Sequence, residues 1–197
     1  MNFKIAFLFI LLNSGFIFSQ KETNLEIVNS LIEKSVMGID SLRLEKSRPI
    51  KINLTSPPSF EFLHAKVIDA FSNSGYKLNI DSVKKGIIGY SITGINTAYG
   101  EPFRDGLFGD YLTQRTIIYR ALINYTENGH VLFSKEMVNE NRDTIFVSQI
   151  NAVENPSLFF TKGEVSEPPV LSNLLEPILV VGTLIVTVIL LFTVRGK

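Results

Sequence analysis

Two uncharged apolar stretches bound this chain, and they limit what the rest can be. The longer runs from Pro177 to Val194, 18 residues without a charge. As a helix rising about 1.5 Å per residue it would reach roughly 27 Å, near the thickness of a bilayer's hydrocarbon core. Glu176 precedes it and Arg195 and Lys197 follow. The positive-inside bias therefore predicts a single-pass transmembrane helix at 177–194, with a cytoplasmic stub at 195–197. A buried core helix is the competing reading of the same run.

The shorter stretch opens the chain. Lys4 supplies a positive start, Ile5 to Leu12 is unbroken apolar sequence, and Asn13, Ser14 and Gly15 interrupt it before Ser19. This is the layout of a secretory signal peptide over 1–19, with a mature chain from Gln20; an uncleaved anchor is the alternative. Together the two ends predict an extracytoplasmic domain over 20–154, a stalk over 155–176 rich in Pro and charge, and membrane attachment through the C-terminal helix. With Lys4, Arg195 and Lys197 set aside, 16 basic residues face 19 acidic ones, a net charge of −3. No basic stripe is available to neutralise phosphates, so a nucleic-acid partner is excluded. The chain has no Cys, which excludes disulfides, thiolate zinc sites, a thiol nucleophile and a lipid-modified N-terminal cysteine.

Periodicity orders the central region. Thr23 to Glu26 is a T-x-x-E capping box, and Leu25, Val28, Ile32, Val36 and Ile39 follow at helical spacing, predicting a first helix that ends near Asp40. Ile50, Ile52 and Leu54 alternate with Lys51 and Asn53 as a short strand. Ser59 is placed to cap a second helix carrying Phe60, Leu63, Val67, Ile68 and Phe71, with Gly75 as its stop. Beyond Gly75 the period falls to two: Tyr76, Leu78 and Ile80, then Ile88, Tyr90 and Ile92, predict strands. Thr113 to Thr126 and Val131 to Val138 flank Asn128-Gly129, the strongest short hairpin signal, since a type I′ turn needs positive φ at both central residues. Asp143 to Val153 carries a weaker helical pattern. The fold expected is α+β, a two-layer domain with helices packed on a mainly antiparallel sheet, plus the C-terminal transmembrane helix.

From Pro49 to Val138 this order of a strand, a helix over Ser59 to Gly75 and long strands ending in the Tyr125 to Lys135 hairpin resembles the small α/β modules of bacterial envelope-assembly lipoproteins. The resemblance lies in element order and implies an envelope component. The absent lipobox cysteine and the added apolar C-terminus depart from that pattern.

Catalytic chemistry finds little to work with. His64 and His130 are the only histidines, and no G-x-S-x-G or H-E-x-x-H occurs. His64 reads as a boundary residue beside a helix's apolar face, and His130 as an exposed turn residue. Glu101, Asp105 and Asp110 fit no EF-hand spacing. No catalytic residue, metal or cofactor is assigned, and the chain is read as a non-enzyme.

The informative segment is the connection from Tyr99 to Tyr111. Loops of that length between strands are uncommon unless they bind something or are simply mobile. Tyr99, Phe103, Arg104, Leu107, Phe108 and Tyr111 are the residue types that anchor protein contacts, and they are the candidate partner-binding residues. They could instead cap the open end of the sheet core. The function expected is a membrane-anchored extracytoplasmic interaction or scaffold component of the cell envelope with an envelope protein as partner. The alternative is a module that binds a lipid or other apolar ligand between helices and sheet.

Overall fold

A computed structural model describes residues 21–39, 46, 49–79, 86–104, 106, 109–166 and 170–194. The segment read as a signal peptide, 1–19, lies outside the described residues. The capping box forms: Thr23 Oγ1 accepts from the Glu26 amide at 3.2 Å, and the Glu26 carboxylate accepts from the Thr23 amide at 2.7 Å. It starts helix α1, Asn24–Met37, which turns Ile27, Val28, Leu31, Ile32 and Val36 inward. Strand β1, Lys51–Thr55, follows. Ser59 caps nothing. Pro58 opens a 3-10 segment, Pro58–Leu63, which runs into helix α2, His64–Asn73, without a side-chain cap. The fixed φ of proline suits the first turn of a helix, so the two adjacent prolines replace the expected serine. Val67, Ala70 and Phe71 are buried on α2, whereas Ile68, expected on the same face, is exposed.

The sheet is built from β2, Ile87–Tyr99; β3, Phe103–Arg104; β4, Tyr111–Glu127; and β5, His130–Phe146, with β1 at one edge. β1 pairs with β2 in parallel across the α2 crossover; β2, β3 and β5 all pair antiparallel with β4. β5 lines one side of β4 from Leu112 to Glu127, so β3 and β2 share the other side end to end. The β4–β5 hairpin closes on Asn128 at φ 53° and Gly129 at φ 81°, both left-handed as the Asn-Gly pair requires. A bulge between Ile92 and Gly94 adds a residue to β2. It keeps Ile95, Thr97 and Tyr99 on the same face as Ile88, Tyr90 and Ile92.

Both long helices cover that one face. Leu31, Ile32, Phe71, Ile92, Ile117 and Tyr119 are fully buried between the layers. Within this core the Tyr90 hydroxyl donates to Ser35 Oγ at 3.0 Å and lies 2.9 Å from the Tyr119 hydroxyl, so the buried polar atoms are paired. Burial raises the pKa of both tyrosines.

Three larger expectations are also corrected. The helix expected over Asp143 to Val153 starts later and is shorter, since β5 continues to Phe146 before a 3-10 turn, Val147–Gln149, and a short helix α3, Ile150–Val153. The segment read as the start of a stalk folds back instead. The 3-10 turn Phe159–Thr161 buries Phe160 and Thr161, and Thr97 Oγ1 donates to the Phe160 carbonyl at 2.8 Å. This strap covers the part of β2 beyond the last residue that β1 pairs, Ser91.

The third correction concerns the C-terminus. A helix α4 is present over Val170–Val194, with Pro177 inside it. Among the described residues, however, no helix is long and apolar enough to cross a membrane. The stretch of α4 whose side chains are described runs over 177–193. The transmembrane assignment, the single-pass topology with a cytoplasmic C-terminus and attachment to the bilayer through this helix are therefore withdrawn. Nor is that stretch a core helix, since Ile178, Leu184 and Phe192 are all exposed.

If the strap belongs to the core, Phe160→Ala should lower stability by about 3 kcal/mol in urea denaturation. A freely hanging stalk at this position would leave the change within about 0.5 kcal/mol.

Candidate interaction surface

The 99–111 connection is not a free loop. β3 lies within it and pairs Phe103 with Leu112 and Arg104 with Tyr111. Because neighbouring strand residues alternate between faces, the candidate residues part company here. Tyr99 points inward and is buried. Arg104 and Tyr111, directly opposite each other, stack on one side of the small hairpin, with the guanidinium carbon 4.3 Å from the ring centroid. Phe103 faces the other way and is 47% exposed. Leu107 and Phe108 lie outside the described residues.

Phe103 has company that the linear sequence does not reveal. Leu112 is paired with Phe103 on one side and with Phe146 of β5 on the other. Directly paired residues share a face, so Phe103, Leu112 and Phe146 form an apolar row across three strands on the uncovered side of the sheet. Phe146 is 39% exposed. Farther along the same face Ile118 follows on β4, then Val138 and Leu122, among polar neighbours Arg120, Glu136, Glu140 and Arg142. An isolated exposed apolar side chain is ordinary; here three stand in one row, held by strand pairing.

This end of the sheet is fixed from the inside by a buried polar network. Arg115 on β4 is 1% exposed and sits opposite Asp143 on β5. Its Nε and Nη2 donate to the two carboxylate oxygens of Asp143 at 2.8 and 2.6 Å. Nη1 donates to the Glu22 carbonyl and to Asn24 Oδ1, each at 2.8 Å. Asn24 in turn donates through Nδ2 to the Tyr99 hydroxyl at 2.8 Å and to the Thr161 carbonyl at 2.6 Å. Burial pushes the Tyr99 hydroxyl up to about 12, with the Glu154 carboxylate adding to the rise while Asn24 and Arg115 act against it. The network joins the N-terminal segment, β2, β4, β5 and the strap three residues along β4 from Leu112. The sequence reading missed Arg115; the sign that could have found it is a lone cation at an inward position of the alternation from Thr113 to Ile123.

Elsewhere, His64 Nε2 lies 2.9 Å from Ser56 Oγ, and His130 is the exposed first residue of β5 rather than part of the turn. Asp105 lies outside the described residues; among them no cluster of His, Asp or Glu could hold a metal ion. An open groove of about 590 Å³ runs between Asn96 to Tyr99 and the strap residues Lys162 to Glu164. Gly163 lets the strap lie close, since a Cβ there would come within 2.8 Å of the Tyr99 ring.

No family model matches the chain, and no curated protein matches it. Solved structures with a similar arrangement include a minor lipoprotein from Acinetobacter baumannii, with a TM-score of 0.37 and 9% identity over 65% of this chain and 86% of that one. Rare lipoprotein B from Shewanella oneidensis is another, with a TM-score of 0.32 and 11% identity over 49% of this chain and 68% of that one. These structural neighbours are bacterial lipoproteins; at such scores the likeness assigns no residue a role.

Two measurements test the network. Arg115→Ala strands the Asp143 carboxylate and should cost about 3–5 kcal/mol, far more than an exposed cation such as Arg120. The tyrosine titration has a defined sign. A hydroxyl that keeps its proton to a higher pH when folded than when unfolded contributes stability that is present below the unfolded value near 10 and lost as pH rises through about 12. Urea midpoints should therefore fall between pH 10 and 12, and the fall should be shallower in Tyr99→Phe, while Tyr90 and Tyr119 keep part of the slope.

Proposed function

We propose that this protein is a non-enzymatic, envelope-associated binding domain that recognises another envelope protein through the uncovered face of its sheet, with Phe103, Leu112 and Phe146 as the anchor. The row formed by those residues carries the reading: large apolar side chains, on strands rather than on a loose loop, on the side the helices leave open. Side chains already held in place lose little entropy on docking, which is what makes such an anchor worth more than its area. The leader-like sequence at 1–19 supports the envelope as the compartment. Of the residues read from sequence, Phe103 keeps the contact role; Arg104 and Tyr111 brace the hairpin that presents it, and Tyr99 belongs to the interior. Leu107 and Phe108 remain candidates by their position between β3 and β4.

A protein partner is favoured over an apolar ligand held between the layers. That space is filled by Leu31, Ile32, Phe71, Ile92 and Ile117, all fully buried, and the groove beside Tyr99 is open and mixes Asn96, Thr97, Lys162 and Glu164 with Ala98 and Tyr99, unlike an enclosed apolar pocket.

A photo-crosslinking residue in place of Phe103, in cells that make the protein, should yield a discrete adduct with one envelope protein. The double change Phe103→Ala and Phe146→Ala, assayed with a crosslinker at Leu112, should reduce that adduct at least about tenfold, as loss of two anchor side chains implies. The melting temperature should shift by no more than a few degrees. Undiminished capture would overturn the assignment of the surface, and a large fall in melting temperature would identify the row as a core cap.

A further inference from the structure

β5 is 17 residues long, roughly three times the usual strand, and only one of its edges is used. β4 pairs with it along its whole length; among the described residues nothing pairs with the other edge. Long free edges invite pairing with another chain, and proteins ordinarily blunt them with charge, proline or bulges. β5 has no proline. Its one bulge, at Leu132, sits next to the turn, leaving an unbroken ladder from Phe133 to Phe146. It does carry charge: Lys135, Glu136, Glu140, Arg142 and Asp143.

Those charges are not scattered. In an antiparallel pairing of β5 with itself about a two-fold axis at Asn139, Glu136 falls opposite Arg142 of the second copy, and Lys135 opposite its Asp143. Phe133 meets Ile145, Ser134 meets Thr144, and the exposed Leu132 comes opposite Phe146. Each contact occurs twice by symmetry. Keeping both helix layers on one side of the joined sheet allows the axis to move only by whole residues along β5. Moving it to Val138 sets Glu136 against Glu140; moving it to Glu140 sets that residue against itself. One register is complementary and its neighbours repel.

We propose that the free edge of β5 pairs antiparallel with β5 of a second copy about Asn139, joining two sheets into one continuous sheet. The opposed charges select the register and discourage foreign strands, a use of like-charge repulsion against wrong pairings. Asp143 already accepts from Arg115 through both oxygens, so the Glu136–Arg142 pairs carry most of the selection. Arg142 also contacts Glu140 of its own strand, an arrangement that leaves it on the open face beside the incoming Glu136. This pairing uses the edge of the sheet, not the Phe103 row on its face, and does not rest on the partner reading above.

The chain has no cysteine, so a single introduced one reports cleanly. In the full-length protein, Asn139→Cys should form an intermolecular disulfide under mild oxidation, because residues on the axis face each other about 4.5–5.5 Å apart. Glu136→Cys should not, since two such residues would stand roughly 20 Å apart along the strands. Adding Arg142→Glu to Asn139→Cys should cut disulfide formation about tenfold, and adding Glu136→Arg as well should restore it. Circular dichroism of each variant checks that the fold is kept. Absence of the Asn139 disulfide in a folded protein, equal crosslinking at Glu136, or failure of the charge exchange to restore it would each overturn the proposal. Phe103→Ala should leave the disulfide unchanged, which separates this test from that of the sheet face.

Discussion

A guanidinium removed from water must find a charge and several acceptors or the fold cannot hold it, and in this protein Arg115 sets that condition. Asp143 meets its planar fork with both oxygens, and Glu22 and Asn24 supply the remaining acceptors. A lysine at the same place would offer a point charge where the geometry asks for two parallel donors. The partners come from places far apart in the chain: the residues before α1, the last third of β5 and, through Asn24, Tyr99 and Thr161. No pair of neighbouring elements can satisfy the group alone. Asp143 on the neighbouring strand compensates the charge, but the full set of acceptors is complete only when the N-terminal segment is also in place, and Asn24 ties that segment to Tyr99 and the strap, so the burial rewards this topology over partial ones.

The same requirement explains which elements were legible in the sequence. α1 and the β4–β5 turn are local affairs: the Thr23–Glu26 box and Asn128-Gly129 carry their own hydrogen bonds and dihedral preferences, and both form as expected. What escaped prediction is held by distant partners. The second half of β5 reads Asn139-Glu-Asn-Arg-Asp143, poor strand formers with no apolar alternation. It is a strand because Asp143 must reach Arg115 and because its far side faces no core that would demand hydrophobic residues. The strap is similar. Pro156, with its polar neighbours, looks like a linker until Phe160 and the Thr161 carbonyl are seen to complete the covering of β2. In the candidate site, Phe103 was visible from the density of aromatics in its loop, but Phe146 was not, since only the strand register places it in the same row.

Among the described residues the helices cover one face of the sheet, and the other face and the outer edge of β5 are left open. This asymmetry follows from composition. Two amphipathic helices of 14 and 10 residues can cover one side of a sheet this size but not both, and the alternation in β4 already assigns the apolar set to that side. The outward set of β4 mixes Gln114, Thr116, Arg120 and Asn124 with Ile118 and Leu122, and only at Phe103, Leu112 and Phe146 do apolar residues of three strands stand directly side by side.

Rigidity near these open surfaces has a reason in the energetics of association. A contact residue on a loop must be ordered at the moment of binding, and that cost is subtracted from whatever the contact yields. Here Phe103 is tied to Leu112 by strand pairing, Phe146 is tied to the other side of Leu112, and Arg115 with Asp143 locks the two long strands together three residues further in. The Arg104–Tyr111 stack holds the hairpin from the opposite side. The buried charge thus does two things at once. It commits the chain to its topology, and it leaves the apolar row already arranged, so that under the proposed function docking would not have to build the surface it uses.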